Sequence, residues 1–171
     1  MWRRIGQIIG GTVLALTTLA ALFLVSMRAK YPPVLTAVRR MNRAFWNPRA
    51  MKTAGQPGAM ASVIRHVGRT SGTPYETPIG PFATDDGFVV ALPYGSTPDW
   101  LKNLMAAGSA VIVHEGNTYR VDRPELIPST VAFVHVPPSE QWSLRLFGVD
   151  QFLRVRCLEA QGMPGETAEP V

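Results

Sequence analysis

The chain opens with a long run of apolar positions. No residue from Ile5 to Met27 carries a charge. At about 1.5 Å per residue such a helix is about 35 Å long, enough to cross the ~30 Å hydrocarbon core of a bilayer. Residues 1–30 therefore predict an uncleaved membrane anchor helix. A cleaved signal peptide is the alternative, but it needs a small-x-small cleavage site, and Leu24 to Ala29 offers a poor one.

A second pattern has the period of a surface helix. Apolar side chains recur at helical spacing after Pro32-Pro33 and lie opposite three arginines, which predicts a short amphipathic helix. Two placements stay open: it lies on the bilayer surface or it caps the domain. Asn47 to Gly58 reads as a linker or an ordered loop, so residues 31–60 join the anchor to the domain. The apolar positions are Val34, Leu35, Val38, Met41 and Phe45, and the arginines are Arg39, Arg40 and Arg43.

From residue 61 the apolar positions follow the pattern of strands. Two hairpins are predicted: Ala61–Val67 with Pro74–Ile79 across a Gly-rich turn, and Ala110–His114 with Thr118–Val121 across Glu115-Gly116-Asn117. Further strands are predicted at Phe88–Pro93, after the turn Asp85-Asp86-Gly87, and at Val149–Leu158.

Helices interrupt this β pattern twice. Pro98–Ala107 suits a helix, with Thr97 as a candidate N-cap and Gly108 as its stop. The segment 128–147 is predicted to be partly helical, broken by Pro137-Pro138. Five or six strands with these helices predict a mainly β, α+β domain over 61–158, built as a mostly antiparallel barrel. The polar tail 159–171 is expected to be flexible.

Charge is distributed unevenly. Eleven of the 17 Lys and Arg residues lie in positions 1–75, where no acidic residue occurs, and all 12 Asp and Glu residues lie after them. A basic block beside an apolar span suits an anionic lipid surface. The excess of basic residues after the span predicts a cytoplasmic domain. No nucleic-acid motif is present, so we expect no nucleic-acid partner.

Several chemistries have no support in the sequence. The single cysteine, Cys157, excludes an internal disulfide and reads as a small apolar strand residue. His66, His114 and His135 stand apart, without the spacing of metal ligands, so no metal site is predicted. The chain has no nucleophile elbow, P-loop or Rossmann fingerprint.

Two segments carry candidate chemistry. In Gly68-Arg69-Thr70-Ser71-Gly72 two glycines permit a sharp turn, while an arginine and two hydroxyls provide donors that suit a phosphate. A plain polar hairpin loop is the alternative. In the second segment, Pro93-Tyr94-Gly95-Ser96 leads into a helix whose Trp100 and Asn103 share a face. A planar ring could stack on Trp100, or Trp100 is simply core and Asn103 surface.

Together these segments resemble the deazaflavin (coenzyme F-420)-dependent nitroreductase family. The resemblance runs from about Ala61 to Arg156. It rests on the Gly68–Gly72 turn with Thr77-Pro78, on Ala91-Leu92-Pro93-Tyr94-Gly95, and on Asp99-Trp100-Leu101-Lys102-Asn103-Leu104 with the Met105–Gly108 end of that helix.

The resemblance implies a split β-barrel that binds the deazaflavin coenzyme, with FMN as the alternative cofactor and a homodimer as a possible assembly. It implies an oxidoreductase that transfers a hydride to an apolar acceptor such as a quinone or an unsaturated lipid. The implied coenzyme-binding residues are Gly68, Arg69, Thr70, Ser71, Gly72, Tyr75, Thr77, Pro78, Pro93, Tyr94, Gly95, Ser96, Trp100 and Asn103, and Tyr94 is the candidate proton donor.

Two positions depart from the family pattern. Tyr75 and Tyr94 stand where many members carry a basic residue, and each departure removes a cation that could pair with an anionic coenzyme. A non-catalytic, membrane-anchored protein that binds a lipid or a cofactor in the same cleft is therefore the alternative function, as is a split barrel that binds FMN or haem.

Overall fold

A computed structural model of the protein describes residues 2–158, and the predicted tail 159–171 lies outside them. Within these residues seven strands form one antiparallel sheet in the order β2-β1-β5-β6-β7-β4-β3, curled into a half-barrel. The α+β class is confirmed, whereas the expected strand number, five or six, was too low. The strands are β1 (Ser62–Val67), β2 (Pro74–Ile79), β3 (Pro81–Thr84), β4 (Gly87–Ala91), β5 (Ser109–His114), β6 (Asn117–Pro128) and β7 (Gln151–Cys157).

The helices lie before, between and after these strands. They are α1 (Trp2–Arg28), α2 (Pro32–Met41), α3 (Asn47–Ala50), α4 (Asp99–Ala107), α5 (Ser129–Ala132) and α6 (Pro138–Leu146), with a π-helical turn at Asn42–Trp46 and a 3₁₀ turn at Phe133–His135.

Both predicted hairpins are confirmed, because their turns carry strong local signals. β1 pairs with β2 and β5 pairs with β6, each antiparallel. The β5–β6 turn has φ of +50° at Glu115 and +78° at Gly116, the left-handed pair that a tight hairpin requires. Gly108 ends α4 with φ of +71°, as predicted.

Two local predictions were wrong. Strand β3 was missed because it is only four residues long and begins at a proline, which hides its pattern. The N-cap of α4 is Pro98, without a side-chain cap, and not Thr97. The Thr97 hydroxyl donates instead to the carbonyl oxygen of Tyr94 at 3.2 Å, so it closes the preceding loop and leaves the helix start uncapped.

The β4 strand separates two apolar cores. Phe88 and Val90 face one cluster, which also holds Leu101 and Leu104 of α4, while Val89 faces a second cluster under the helices after β6. Successive residues of a strand alternate between faces, so one short, fully apolar strand serves both sides. This explains why β4 reads as a continuous apolar run.

The first helix is long and apolar enough to cross a membrane. Most of its leucines are exposed, among them Leu14 at 69%, whereas Leu24 is half-buried. Its last turn is tied to the domain, since Met27 is buried. The Arg28 guanidinium donates to the carbonyl oxygens of Arg145 and Leu146 at the end of α6.

The amphipathic helix is confirmed as α2, and its contacts favour the capping placement. Leu35 is buried, and Arg39 donates to the Thr97 hydroxyl at 2.7 Å. The helix continues through the π-helical turn into α3, so the predicted linker is helical where it begins. Phe45 and Trp46 remain exposed on its outer side.

Gly87 provides a test of this architecture, because β4 passes very close to β7 there. A Cβ on Gly87 would overlap the carbonyl oxygen of Val155 and lie 2.8 Å from the Cα of Arg156. We expect Gly87→Ala to lower the free energy of unfolding by about 1–3 kcal/mol or more. Gly80→Ala is the matched control, because a Cβ there meets nothing within 4 Å; its effect should stay within about 0.5 kcal/mol. Urea unfolding of the two variants compares them, and equal stabilities would contradict the close approach.

Candidate functional site

The site begins at the turn between β1 and β2. The amide of Gly68 donates to the carbonyl of Thr73, and the amide of Gly72 donates to the carbonyl of Gly68, both at 2.8 Å. Gly72 has φ of +65°, and a Cβ on Gly68 would lie 2.9 Å from the Tyr75 ring. The left-handed backbone therefore favours glycine at Gly72, whereas at Gly68 a Cβ would crowd the side chains of Ser71 and Tyr75.

A buried amide holds this turn against α4. Asn103 is 5% exposed. Its Oδ1 accepts from the backbone N–H of Arg69 at 3.2 Å and from the Arg69 guanidinium at 2.8 Å. Its Nδ2 lies 3.1 Å from Nδ1 of His66, and Nε2 of His66 lies 3.2 Å from the Thr77 hydroxyl. The alternative that Asn103 is a surface residue was wrong, because its side chain is buried. Its contact with a coenzyme ring stays a prediction.

This network assigns the tautomer of His66. Because the Asn103 amide nitrogen can only donate, Nδ1 of His66 must accept, and the ring proton therefore lies on Nε2 and points to Thr77. Burial lowers the pKa of His66, which agrees with a neutral ring in the native state. The Tyr75 ring stacks on His66 with centroids 5.7 Å apart.

The guanidinium of Arg69 is already engaged within the protein. It lies 3.4 Å from the carboxylate of Asp99, which in turn lies 3.9 Å from the guanidinium of Arg43. Asp99 thus draws together the β1–β2 turn, the first turn of α4 and the helical segment after α2. Sequence reasoning identified Arg69 as a cation but did not predict its ion pair with Asp99 or the approach of Arg43 to the same carboxylate. Both contacts join parts of the chain that are far apart in sequence.

The tip of the turn offers donors that the protein does not use. Thr70 and Ser71 are exposed, and among residues 2–158 their backbone N–H groups have no hydrogen-bond acceptor. Ser71 Oγ accepts from the amide of Thr73 at 3.3 Å. Successive free N–H groups on a rigid turn form an anion-binding concavity.

Tyr94 lies in the loop before α4, beneath the segment that follows α2. The Asn42 side-chain amide donates to its hydroxyl oxygen at 2.6 Å, which leaves the hydroxyl proton uncommitted by that bond. Burial raises the pKa of Tyr94, although the Asn42 hydrogen bond opposes this. The phenol therefore keeps its proton at neutral pH.

The remaining predicted residues occupy different surroundings. Gly95 has φ of +67°, and its amide closes the loop onto Leu92 at 2.9 Å. Trp100 is half-buried and packs against the main core. Pro78 faces the opposite side of β2 from Thr77, by strand alternation. Pro93 is half-buried and Ser96 is exposed.

A cleft of about 760 Å³ lies beside the turn. His66, Val67 and Tyr75 connect it to the turn, but no residue of the 93–103 segment lines it. Sequence reasoning missed the cleft, because Val111 and Arg120 reach Arg65 only through the pairing of β1, β5 and β6. Its lining residues are Arg65, His66, Val67, Pro74, Tyr75, Glu76, Ser109, Ala110, Val111, Arg120, Val121 and Leu158.

Comparisons with known proteins give limited likenesses. No family model matches the chain, and no curated protein matches it. Among solved structures, one named as an F420-H2-dependent reductase is 14% identical with a TM-score of 0.41, over 57% of this chain and 94% of the other. A second, named as an F420 reductase, is 12% identical with a TM-score of 0.42, over 63% and 91%. A third, named as a domain-swapped dimer, is 12% identical with a TM-score of 0.43, over 71% and 98%. Scores this low support no inference about cofactor or assembly.

The His66 network predicts a loss of stability in acid. Protonation would turn Nδ1 into a donor facing the Asn103 amide, and burial already lowers the pKa of the folded state. The stability that the neutral His66 ring contributes is fully present above its unfolded-state pKa of about 6.5. This contribution is lost as the pH falls from there through the lower pKa of the folded state. We expect the free energy of unfolding to fall more steeply between pH 7.5 and 5 in wild type than in His66→Gln.

Urea titrations across this pH range measure the difference. His135→Gln, in the 3₁₀ turn, is the control and should keep the wild-type slope. Parallel profiles for wild type and His66→Gln would show that the ring is not held neutral by this network.

Proposed function

We propose that this chain is a membrane-anchored oxidoreductase that binds a phosphate-bearing deazaflavin coenzyme at the β1–β2 turn and reduces an apolar acceptor. The observation that carries this proposal is the pair of unused N–H groups at Thr70 and Ser71, on a turn fixed by Asn103. A preorganised pair of donors binds an anion without an ordering cost. The motif resemblance over the same residues supports the choice of coenzyme.

The charge around this turn favours an anionic ligand. Arg69 and Arg43 share a single carboxylate, Asp99, and Arg39 lies beside the same loop through Thr97. Two arginines therefore share one carboxylate, and a third arginine contacts the loop that precedes α4. Since two of these three arginines come from the segment after the anchor, they compensate for the basic residues that Tyr75 and Tyr94 replace.

The surroundings also suit a planar ring and a proton donor. The cleft is lined mostly by apolar side chains, and Tyr75, stacked on His66, exposes 46% of its surface at the edge. When bound, a reduced deazaflavin supplies a hydride. Tyr94 does not line this cleft. It retains its proton at neutral pH and is our candidate proton donor for a ring that lies over the loop before α4, within hydrogen-bond reach of the phenol.

The acceptor is expected to come from the membrane. α1 is long and apolar enough to cross a bilayer, and an apolar quinone or unsaturated lipid would concentrate there. Five basic residues follow the span within sixteen positions, against two before it, and this excess supports a cytoplasmic domain. These residues are Arg28, Lys30, Arg39, Arg40 and Arg43 after the span, and Arg3 and Arg4 before it.

A coenzyme titration tests the proposed site. Oxidised deazaflavin coenzyme added to the full chain in detergent should quench tryptophan fluorescence saturably. Arg69→Ala should weaken binding by roughly 10- to 150-fold, since a charge-assisted hydrogen bond is worth about 1.5–3 kcal/mol. Arg69→Lys should recover only part of this loss, because the ammonium keeps the positive charge but lacks the planar fork of the guanidinium. Arg123→Ala is the control, as it removes an exposed cation whose ion-pair partner among residues 2–158 is Asp122.

Other outcomes of the same titration assign other functions. Saturable binding of FMN in place of the deazaflavin would change the cofactor and keep the site. If neither binds while a quinone or a lipid does, the apolar cleft belongs to a non-catalytic binding protein. Equal coenzyme affinity in wild type and Arg69→Ala would show that the phosphate lies elsewhere.

Membrane topology gives a separate test. The protein should remain in the membrane pellet after an alkaline carbonate wash, and a reporter fused after Val171 should read as cytoplasmic. Leu14→Arg combined with Leu19→Arg should release it, because an arginine at the centre of a span costs about 2.5–3.5 kcal/mol. Release of the wild-type protein by carbonate, or a processed N-terminus, would identify a signal sequence instead.

A further inference from the structure

The end of α1 is attached firmly to the C-terminal end of α6. The Arg28 guanidinium donates to the carbonyl oxygens of Arg145 and Leu146, both at 3.1 Å. The Lys30 ammonium donates to the carbonyl of Gly148 at 2.9 Å. A Cβ on Gly148 would lie 3.3 Å from the Cα of Arg28, so the two backbones are in close approach. The Arg145 carbonyl also accepts from the amide of Gly148 at 3.1 Å, so Arg28 adds a second hydrogen bond there and a first one at Leu146, where helix ends leave carbonyls without intrahelical partners.

An exposed apolar surface lies next to this attachment. We call it the exit patch: Val131, Val134, Trp142 and Leu146. Trp142 and Leu146 are one helical turn apart and share a face of α6. Gln141 donates to the carbonyls of Phe133 and Val136, which fixes the turn carrying Val134 beside α6. Val134 is 81% exposed and Trp142 is 65% exposed.

We propose that the exit patch enters the interfacial layer of the membrane that α1 spans. This inference rests on the membrane anchor proposed above. Because Leu146 belongs to the helix end that Arg28 holds, the patch lies where the chain leaves the hydrocarbon core. Tryptophan is favoured at this depth, where its ring is apolar and its N–H can reach water.

The charges around the patch fit lipid headgroups. Arg28 and Lys30 lie at its inner border, and Arg145 stacks its guanidinium 4.6 Å from the centre of the Phe133 ring. Basic side chains beside an apolar surface bind anionic headgroups while the apolar groups enter the acyl boundary. The domain would then be attached to the bilayer at two places, the span and the exit patch, and could not turn freely about the span.

Lipid quenching of single tryptophans tests this proposal in the full chain. Three variants each keep one tryptophan, at position 2, 100 or 142, with the others changed to phenylalanine. They are reconstituted into phosphatidylcholine–phosphatidylglycerol vesicles with or without bromine at carbons 6 and 7 of one acyl chain. Trp142 should lose about half of its emission in brominated vesicles, because a side chain in the interface lies about 5–10 Å from the headgroups. Trp100, packed on the core, should be unaffected.

The three reporters separate the possible failures. Quenching of Trp2 without quenching of Trp142 overturns the exit patch and leaves the anchor intact. Absence of quenching at both positions overturns the anchor and the patch together. A Trp142 emission that shifts with protein concentration in detergent, without lipid, assigns the patch to a second copy of the chain and also overturns the proposal.

A charge in the patch gives a second measurement. Val134→Glu, in the variant that keeps only Trp142, should reduce the lipid quenching by about twofold or more, since a carboxylate resists entry into the acyl region. Met105→Glu is the matched control, because Met105 is an exposed apolar residue of α4 outside the patch. Equal quenching in the two variants would show that Val134 does not contact lipid.

Discussion

The candidate site depends on one buried side chain, that of Asn103. Its oxygen accepts two hydrogen bonds from Arg69, and its nitrogen donates to His66. A smaller side chain would leave a nitrogen of the buried imidazole without a partner, at a cost of about 1–3 kcal/mol, and would release the Arg69 amide to water. The turn, the arginine and the helix are therefore placed by a single amide. The residue predicted to contact a ligand thus also holds the β1–β2 turn in shape.

The segment between α1 and the sheet belongs to the same arrangement. Asn42 contacts Tyr94, Arg39 contacts Thr97 and Arg43 approaches Asp99, so three positions on one helical stretch cover the loop that leads into α4. On the other side, Arg28 and Lys30 join the end of α1 to α6. The region that reads in sequence as a spacer thus links the apolar span to both ends of the domain.

Local signals in the sequence predicted the parts of the fold that local physics controls. Gly108 predicted the end of α4, and the Glu115-Gly116 turn predicted the β5–β6 hairpin. Both predictions are confirmed, and all three residues have a left-handed backbone. The cleft could not be predicted in this way, because β1 and β5 are more than forty residues apart in the chain and meet only in the sheet. The same limit applies to Asp99 as a partner of Arg69. From the sequence, Arg28 was interpreted only as one of the basic residues that set the orientation of the span. Nothing in the sequence around it predicts its hydrogen bonds to the carbonyls of residues 145 and 146.

The order of the strands has a consequence for crowding in a membrane. β2 and β3 are the two edges of the sheet, and an open edge is a template for pairing with another chain. Proline stands at Pro74 and Pro78 of β2 and at Pro81 of β3. Because proline has no N–H to donate, another chain that paired with β2 or β3 would meet fewer hydrogen-bond donors along these strands. In the membrane-anchored protein that we propose, copies confined to two dimensions would meet more often than copies in solution, and this spacing of prolines would oppose pairing between their sheet edges.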